Sequence, residues 1–394
     1  MFDSLPRYSP DPILGLIDSF RSDPRDRKID LGVGVYKDQR GVTPVLQCVK
    51  AAEKLLIDAE TTKTYLGSGG NSDYTRLAKR LFLGDDLCES MGDRIAAFQT
   101  LGGTGALRLA AELLKAAKRD SKIWIGIPGW PNHSAVFGGA GVAVESYVHC
   151  APKAQKIDFP EVLSAVNRAA PGDAFLVHAC CHNPTGIDFS LDQIDALVNS
   201  LRARNVIPII DCAYAGFGSG FEDDTYVARR SLSEFDEAIV CFSCSKNFGL
   251  YRERIGLIGV KTRALETAKN VILGLSAFAR CDYSQPANHG AAIVATVLGR
   301  PELKAQWLGE LDQMRAAIRR KRQRLSELRV NSPVLKEICS QRGFFSLLPI
   351  ESDVCIRLRE EFGVYMTSDA RINVLGVLDS QEEYLAECLS RSLG

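Results

Sequence analysis

Short apolar runs and amphipathic stretches alternate through the middle of the chain, from about residue 95 to residue 265. The apolar runs at 123–127, 174–178, 206–210 and 238–242 are hydrophobic enough to be strands that are covered on both faces. Between such runs, residues 104–118 and 191–203 have the periodicity of helices. This alternation predicts an α/β fold with a mostly parallel central sheet sandwiched by helices.

The pattern changes towards the C-terminus. Residues 301–328 predict one long helix that has Pro301 in its first turn. Its apolar residues recur at roughly helical spacing: Leu303, Trp307, Leu311, Met314, Ile318 and Leu325. A mixed α+β segment follows this helix. We therefore expect a large domain over residues 44–310, and a smaller α+β domain formed by an N-terminal arm (1–43) and residues 311–394.

Composition and charge exclude several classes of protein. The chain has 48 basic and 48 acidic residues, so no global field attracts nucleic acid or anionic membranes. The N-terminus lacks the pattern of a signal peptide, and no apolar stretch approaches the ~20 residues that span a bilayer. We expect a cytoplasmic protein without a nucleic-acid or membrane partner. The basic run at 319–322 is interpreted as one solvated helix face.

The twelve cysteines lack the spacing of a disulfide scaffold and are expected to be reduced thiols. Cys241 and Cys244 form a CxxC pair inside an apolar run, where strand geometry sends the two side chains to opposite faces. No second CxxC completes a zinc site. We therefore expect buried, inert thiols and no metal.

Four polar clusters lie where an open α/β sheet binds ligands, beyond strand ends or at a helix start. They are Gly102–Leu107, His182–Gly186, Asp211–Tyr214 and Ser243–Gly249, the last followed by Arg254. Each cluster alone is commonly structural, because glycine-rich turns, N-capping aspartates and solvated lysines are frequent. Their chemistry becomes specific only when they are considered together.

Some of these residues could bind a phosphate group, and one could react with an aldehyde. The helix start at Gly103 and Thr104 offers backbone N–H groups and a hydroxyl to a phosphate. Ser243 and Arg254 would add a second hydroxyl and a fixed cation. Lys246 could form an imine with an aldehyde.

The other residues could bind a nitrogen-containing aromatic ring. Asp211 could pair with a protonated ring nitrogen, whose charge would hold down the pKa of that carboxyl. Asn183 and Tyr214 could hydrogen-bond to a phenolic oxygen, and Trp130 offers a flat face for stacking. Phosphate, aldehyde, pyridine nitrogen and phenolate together describe pyridoxal 5'-phosphate.

The whole chain resembles the class I pyridoxal-phosphate-dependent aminotransferases of fold type I, in particular the aspartate and aromatic-amino-acid aminotransferase family. Seven motifs occur in the family's order and at its spacing over nearly the full length. They are Leu31–Tyr36, Tyr65–Gly67, Gly102–Leu107, Trp130–His133, His182–Gly186, Ser243–Arg254 and Arg371–Asn373.

The resemblance implies a role for each matching position. Lys246 would be the Schiff-base lysine and general base, with Asp211 on the ring nitrogen and Tyr214 on the ring oxygen as further catalytic groups. The remaining cofactor-binding residues would be Asn183 on the ring oxygen, Trp130 on the ring face, His133 behind Asp211, and Gly103, Thr104, Ser243 and Arg254 around the phosphate.

The resemblance also implies a homodimer with shared active sites. Tyr65 from the second subunit would reach the phosphate, and Arg280 would reach across the interface to a side-chain carboxylate of the substrate. Arg371 would bind the substrate α-carboxylate. The substrate site would further include Gly34, Trp130 and Asn183.

Three positions depart from the family's common pattern. Gly129 stands where a serine often precedes the stacking tryptophan, and Ala215 follows Tyr214 where a glutamine is frequent. Residues 68–70 are an unusual continuation of the Tyr65–Gly67 motif. None is a group that the chemistry requires, although the last two could adjust the pocket or the dimer contact.

The implied reaction is a ping-pong transfer of an amino group from an aromatic amino acid or aspartate to 2-oxoglutarate. A strictly aspartate-specific aminotransferase is an alternative, as is another reaction on the same scaffold, such as decarboxylation, racemisation or β-elimination. Arg280 and Arg371 together suit a dicarboxylate substrate, which argues against these other reactions on the same scaffold.

Two alternatives come from different classes of protein. A non-catalytic cofactor-binding regulator would need a DNA-binding segment, and we expect the chain to have no spare length for one. A Rossmann dehydrogenase is disfavoured because no GxGxxG follows a first strand.

Overall fold

The computed structural model describes residues 2–5, 12–151 and 155–393. Its strands are β1 (Ile29–Asp30), β2 (Ile95–Leu101), β3 (Lys122–Ile127), β4 (Ala143–Val148), β5 (Cys150–Ala151), β6 (Lys156–Ile157), β7 (Ala174–His178), β8 (Ile207–Cys212), β9 (Ala238–Ser243), β10 (Ile255–Lys261), β11 (Phe345–Leu347), β12 (Val364–Tyr365) and β13 (Arg371–Asn373).

The α-helices are α1 (Pro12–Ser22), α2 (Gln47–Ala59), α3 (Ser72–Leu83), α4 (Asp85–Met91), α5 (Gly102–Ala117), α6 (Asn132–Gly139), α7 (Phe159–Arg168), α8 (Leu191–Ala203), α9 (Phe221–Asp224), α10 (Tyr226–Glu234), α11 (Leu265–Asp282), α12 (His289–Gly299), α13 (Pro301–Ser326), α14 (Ser352–Phe362) and α15 (Glu382–Leu393). Short 3-10 helices span Phe2–Ser4, Gly92–Arg94, Pro333–Ser340, Val374–Gly376 and Asp379–Gln381.

Seven strands form the central sheet in the order β2-β10-β9-β8-β7-β3-β4. All neighbouring pairs are parallel except those of β10, which is antiparallel to both β2 and β9. Helices α5 and α11 pack on one face of the sheet, and helices including α2, α8, α12 and α13 pack on the other. The predicted α/β class with a mostly parallel, helix-covered sheet is confirmed.

The predicted elements agree with the structure apart from their ends. The apolar runs correspond to β3, β7, β8 and β9, and the two helical stretches to α5 and α8. Helix α13 ends at Ser326, two residues before the predicted end, and its six predicted apolar positions are all buried. Cys241 and Cys244 are buried in separate hydrophobic clusters on opposite faces of the sheet, as predicted.

One interpretation of the basic run is wrong. Arg319 and Arg320 are exposed, but Arg322 is buried because α13 turns its side chain towards the segment that follows the helix. There its guanidinium donates hydrogen bonds to the carbonyl oxygens of residues 338, 342, 343 and 345 and to the Ser346 hydroxyl. These bonds replace the water that the cation loses. The run is therefore not one solvated face.

Segments from the N-terminal and C-terminal parts of the chain pair with each other. Strand β1 pairs in parallel with β12, and β11 pairs antiparallel with β13, so that residues near the N-terminus lie beside the C-terminal segment. This pairing is compatible with the predicted domain division at residues 43/44 and 310/311, which stays a prediction. No helix within the described residues is both long and apolar enough to cross a bilayer.

Candidate active site

One cleft lies beyond the carboxyl ends of β7, β8 and β9, which are neighbours in the sheet. The register places His178 of β7 beside Asp211 of β8, and Asp211 beside Cys241 of β9. The loops that leave these strands therefore deliver their polar residues to one place. The predicted site residues that line the cleft are Gly34, Gly103, Thr104, Trp130, Asn183, Asp211, Tyr214, Ser243, Lys246, Arg254 and Arg371.

Lys246 lies in this cleft with its amine over an aromatic ring. Its Nζ is 4.8 Å from the centroid of Tyr214, and no hydrogen bond or ion pair to Nζ forms within the described residues. Burial lowers the pKa of the Lys246 amine to about 8; the charge of Arg254 also lowers it, and that of Asp211 raises it. A substantial fraction of the amine is therefore neutral near physiological pH, and the neutral form is both a nucleophile and a base.

Asp211 is a buried carboxylate that is held in the ionised form. Burial raises its pKa, but the hydrogen bond from His133 and the electrostatic interactions with His133, His178 and Lys246 outweigh burial, so its pKa lies below the usual value. Its Oδ2 atom is 2.8 Å from His133 Nε2. A buried anion of this kind is suited to a cationic partner in the cleft, such as a protonated ring nitrogen.

Close backbone approach at the start of α5 creates a cradle for an anion. A Cβ atom at Gly102 would lie 2.6 Å from Arg254 Nη2, and one at Gly103 would lie 3.1 Å from Ser243 Cβ. Arg254 itself has φ +56°, an uncommon left-handed conformation for arginine. The helix N-terminus, the guanidinium and the hydroxyls of Thr104 and Ser243 line the same part of the cleft. These donors fit a phosphate group.

Arg371 lies across the cleft in β13 and is buried. Its Nη1 atom is 3.4 Å from Asn183 Oδ1, and its Nη2 donates to the Gly32 carbonyl at 3.1 Å. The guanidinium carbon is 4.5 Å from the centroid of Phe345. A Cβ atom at Gly34 would lie 3.7 Å from the same ring. This fixed, planar cation suits a carboxylate.

Three predicted site residues do not line the cleft. His133 lies behind Asp211, as expected, and its ring meets that of Trp130 edge to face at 5.0 Å. Tyr65 is 86% exposed and Arg280 is also exposed, with its Nη1 donating to Ser284 Oγ. The roles given to Tyr65 and Arg280 therefore require a second subunit, and they stay predictions.

Six further residues line the cleft without having been assigned to the site from the sequence: Ile13, Leu107, His178, Ala213, Ser245 and Phe345. Leu107, Ala213 and Ser245 lie within the predicted polar clusters. His178 ends β7 and Ser245 precedes Lys246, so their positions at strand ends could have identified them. Ile13 and Phe345 come from α1 and β11, and nothing in their type or local spacing marks them as site residues.

The departures at Gly129 and Gly70 have steric explanations. A Cβ atom at Gly129 would lie 2.4 Å from the Gly126 carbonyl oxygen, so this turn excludes a serine. Gly70 has φ +75°, and a Cβ atom there would lie 2.2 Å from Gln99 Oε1. Gln99 Oε1 accepts a hydrogen bond from the Asn71 N–H, so Gly70 allows this contact at the start of α3. The small Ala215 is completely buried.

The chain is similar to known proteins over nearly its whole length. The sequence profile of the family described as "Aminotransferase class I and II" matches residues 26–389. The tyrosine aminotransferase of Rhizobium meliloti (strain 1021) is 42% identical over 387 residues, 98% of each chain. The aspartate aminotransferase of Escherichia coli (strain K12) is 41% identical over 393 residues, 99% of each chain.

Solved structures agree with the sequence relatives. The aromatic-amino-acid aminotransferase of Burkholderia pseudomallei, covalently bound to pyridoxal phosphate, superposes with a TM-score of 0.95 at 37% identity over 100% of both chains. The cytoplasmic aspartate aminotransferase of Saccharomyces cerevisiae also gives a TM-score of 0.95, at 31% identity over 100% of this chain and 98% of that one. Sequence profile, relatives, structures and cleft agree, and this chain belongs to the class I and II aminotransferase family.

Proposed function

We propose that this protein is a pyridoxal-phosphate-dependent aminotransferase that accepts both aspartate and aromatic amino acids, with 2-oxoglutarate as amino acceptor. The observation that carries the proposal is the placement of Lys246 and Asp211 in one cleft, between an anion cradle and the buried cation of Arg371. The relatives named above support the reaction type.

The cleft fits pyridoxal phosphate as the cofactor. Gly103, Thr104, Ser243 and Arg254 would hold its phosphate, because close packing at Gly102 and Gly103 leaves backbone N–H groups and a guanidinium accessible together. Asp211 would face the ring nitrogen, Asn183 and Tyr214 the ring oxygen, and Trp130 the ring face. When bound, this cofactor supplies an electron sink that makes the α-proton of an amino acid acidic.

The protein's own residues then position the substrate and move the proton. Arg371 binds the α-carboxylate, which fixes the orientation of the amino acid. The neutral amine of Lys246 removes the proton from the substrate Cα, with a pKa close to the working pH as general-base catalysis requires. Asp211, held anionic by its hydrogen bond with His133, would stabilise a proton on the ring nitrogen of the bound cofactor.

Absorbance of the bound cofactor tests the proposed function. The purified protein loaded with cofactor should absorb in the visible range, and adding glutamate, aspartate or phenylalanine alone should remove that band. Adding 2-oxoglutarate should then restore it, because the reaction is ping-pong. A decarboxylase would release carbon dioxide, and a regulator would change its spectrum without forming a 2-oxo acid. Either result would contradict the proposal, whereas activity with aspartate but not phenylalanine would favour the strictly aspartate-specific alternative.

We also propose that two copies assemble with shared active sites. Several apolar side chains near the Tyr65 segment and on α11 are exposed, including Ile57, Leu66 and Leu273. Gln285 Oε1 accepts hydrogen bonds from the N–H groups of Leu66 and Gly67, which ties the Tyr65 segment to the segment that follows Arg280. An apolar surface next to these residues favours contact with a second copy.

Hybrid dimers test this assembly. Lys246→Ala and Arg280→Leu chains should each be nearly inactive with aspartate. After mixing and subunit exchange, about half of the dimers are mixed, and each mixed dimer has one intact site. The activity should therefore recover to roughly a quarter of the wild-type value, because the partner subunit's Arg280 completes the site that retains Lys246. Unmixed samples treated identically are the control. Full activity of a protein that sediments as a monomer would contradict the proposal.

Two further parts of the proposal concern organisation and location. We propose the division into residues 44–310 and residues 1–43 with 311–394, supported by the pairing of β1 with β12. A cytoplasmic location is supported by the cysteines, all of which are free thiols and most of which are buried.

A further inference from the structure

Four of the five histidines form one stack behind Asp211, in which His133, His149 and His182 are buried and His178 is partly buried. The His133 ring, which contacts Asp211, meets His178 edge to face with centroids 5.0 Å apart. His178 lies 4.4 Å from His182, and His182 stacks on His149 at 4.2 Å with an interplanar angle of 19°. The stack thus runs from the active-site carboxylate to His149, just beyond the end of β4.

Hydrogen bonds constrain the proton positions of two members of the stack, His133 and His182. His133 Nε2 lies 2.8 Å from the anionic Asp211 and therefore carries a proton. The Thr185 hydroxyl oxygen accepts from the Ile187 N–H, so its own proton is available for His182 Nδ1 at 2.8 Å. If Thr185 donates to Nδ1, the proton of neutral His182 lies on Nε2.

Two nitrogens of the stack are buried without a hydrogen-bond partner in the described part of the chain: His133 Nδ1 and His149 Nε2. An unsatisfied buried nitrogen typically costs ~1–3 kcal/mol. Two such atoms in one stack beside an active site therefore call for a partner that is not a protein group.

A small cavity lies beside His149, His178 and His182, with space for about one water molecule. Its remaining wall consists of Tyr147, Gly126 and four apolar side chains: Ile125, Leu176, Val177 and Phe189. A Cβ atom at Gly126 would lie 2.8 Å from His149 Cβ and 3.1 Å from the Tyr147 hydroxyl oxygen, so glycine allows both side chains to cover the strand here. The three imidazoles and the Tyr147 hydroxyl give this otherwise apolar cavity the polar partners that a water molecule needs.

We propose that His149 is a positioning residue of the active site: with one water molecule held in this cavity, it fixes the rings of His182 and His178, and through them the orientation of His133 against Asp211. His149 makes no contact with the cleft, so it acts only through the other rings. The inference rests on the proposed function, because Asp211 matters to the reaction only when it faces the cofactor ring.

The stack can orient His133 without changing the charge near Asp211, because the rings of His149, His178 and His182 are neutral. Burial lowers the pKa of His149 to about 4 and that of His178 to about 3, and burial also places the pKa of His182 well below its usual value. The titratable groups that face His149 are Tyr147 beside it and His182 and His178 across the cavity. Burial raises the pKa of Tyr147, so it is also neutral. These groups orient His133 without adding a charge behind it.

The test compares His149→Phe with His149→Gln in the cofactor-loaded protein. Phenylalanine keeps a flat ring in the stack but cannot bind water, whereas glutamine keeps a polar group. For His149→Phe we expect the pH midpoint of the bound-cofactor absorbance to move by roughly half a unit, which is about threefold in the protonation equilibrium. The kcat should fall by a similar factor, with KM for aspartate unchanged. His149→Gln should behave like the wild type, as should the exposed control His289→Gln.

Two measurements separate positioning from structure alone. A lower melting temperature for His149→Phe with an unmoved pH midpoint would overturn the proposal. A high-resolution crystal structure of the wild type should show one water bonded to His149 Nε2, and a dry cavity would also overturn it; this readout holds even if the phenylalanine variant fails to fold. If the wild type itself gives no cofactor band, the proposed function fails instead.

Discussion

Replacing Lys246 with alanine is expected to lower turnover by roughly 10⁴-fold or more, since the variant loses both the nucleophilic amine and the base that removes the substrate α-proton. The visible band of covalently bound cofactor should disappear. Cofactor itself should still bind, because Arg254, Ser243 and Asp211 remain. Single-turnover kinetics with aspartate and equilibrium dialysis of the cofactor measure the two effects separately.

Two further variants make this expectation specific. Lys246→Arg keeps a cation in the cleft but has no amine that is neutral near pH 8, so it should be as inactive as alanine. Lys269→Ala removes an exposed lysine that pairs with Glu266 on α11, and it should retain wild-type turnover. An unaltered absorbance spectrum in Lys246→Ala would assign the covalent link to a different lysine.

Replacing Arg280 with leucine is expected to separate the two kinds of substrate. Losing a charged partner of a buried carboxylate costs ~2–5 kcal/mol, which is roughly 30- to 4,000-fold in kcat/KM. The kcat/KM for aspartate and for glutamate should fall by that factor. The kcat/KM for phenylalanine should change little, because its side chain has no carboxylate. Arg371→Leu should impair both kinds of substrate, because every amino acid has an α-carboxylate.

The design of the measurement matters, because 2-oxoglutarate is also a dicarboxylate. Half-reactions with each amino acid, followed by cofactor absorbance, avoid the acceptor altogether. Arg263→Leu removes an exposed arginine near Asp236 and serves as the matched control. If Arg280→Leu lowered the half-reaction rate with phenylalanine as strongly as the rate with aspartate, Arg280 would not be the residue that binds the distal carboxylate.

The sheet and the cofactor half of the cleft were predictable because they follow from local patterns. Residues 174–178 are continuously apolar, as a strand buried on both faces must be, and the polar residues that follow each strand collect at one edge. Asn183, Asp211 and Lys246 therefore could be placed together from sequence order alone. The antiparallel direction of β10 could not be predicted, because the residue pattern of an apolar strand is the same whether the strand is parallel or antiparallel to its neighbours.

The remaining features depend on segments that are distant in the sequence. Arg322 lies in a run of basic residues, and its burial is possible because the carbonyl oxygens of residues 338, 342, 343 and 345 and the Ser346 hydroxyl accept its hydrogen bonds. Phe345 enters the cleft because β11 pairs with β13, which also contains Arg371. The histidine stack joins four positions from three separate segments, and none of the histidines has a spacing that predicts contact.

The order of the site residues along the chain has a consequence for biosynthesis. The groups assigned to the cofactor within one subunit all lie between residues 103 and 254, whereas Arg371 lies close to the end of the chain and pairs with segments from both ends. A ribosome therefore completes the cofactor set well before it makes the arginine for the substrate. A nascent chain that stalls after α13 would carry the complete cofactor set of one subunit without Arg371, the residue that fixes an amino acid in place.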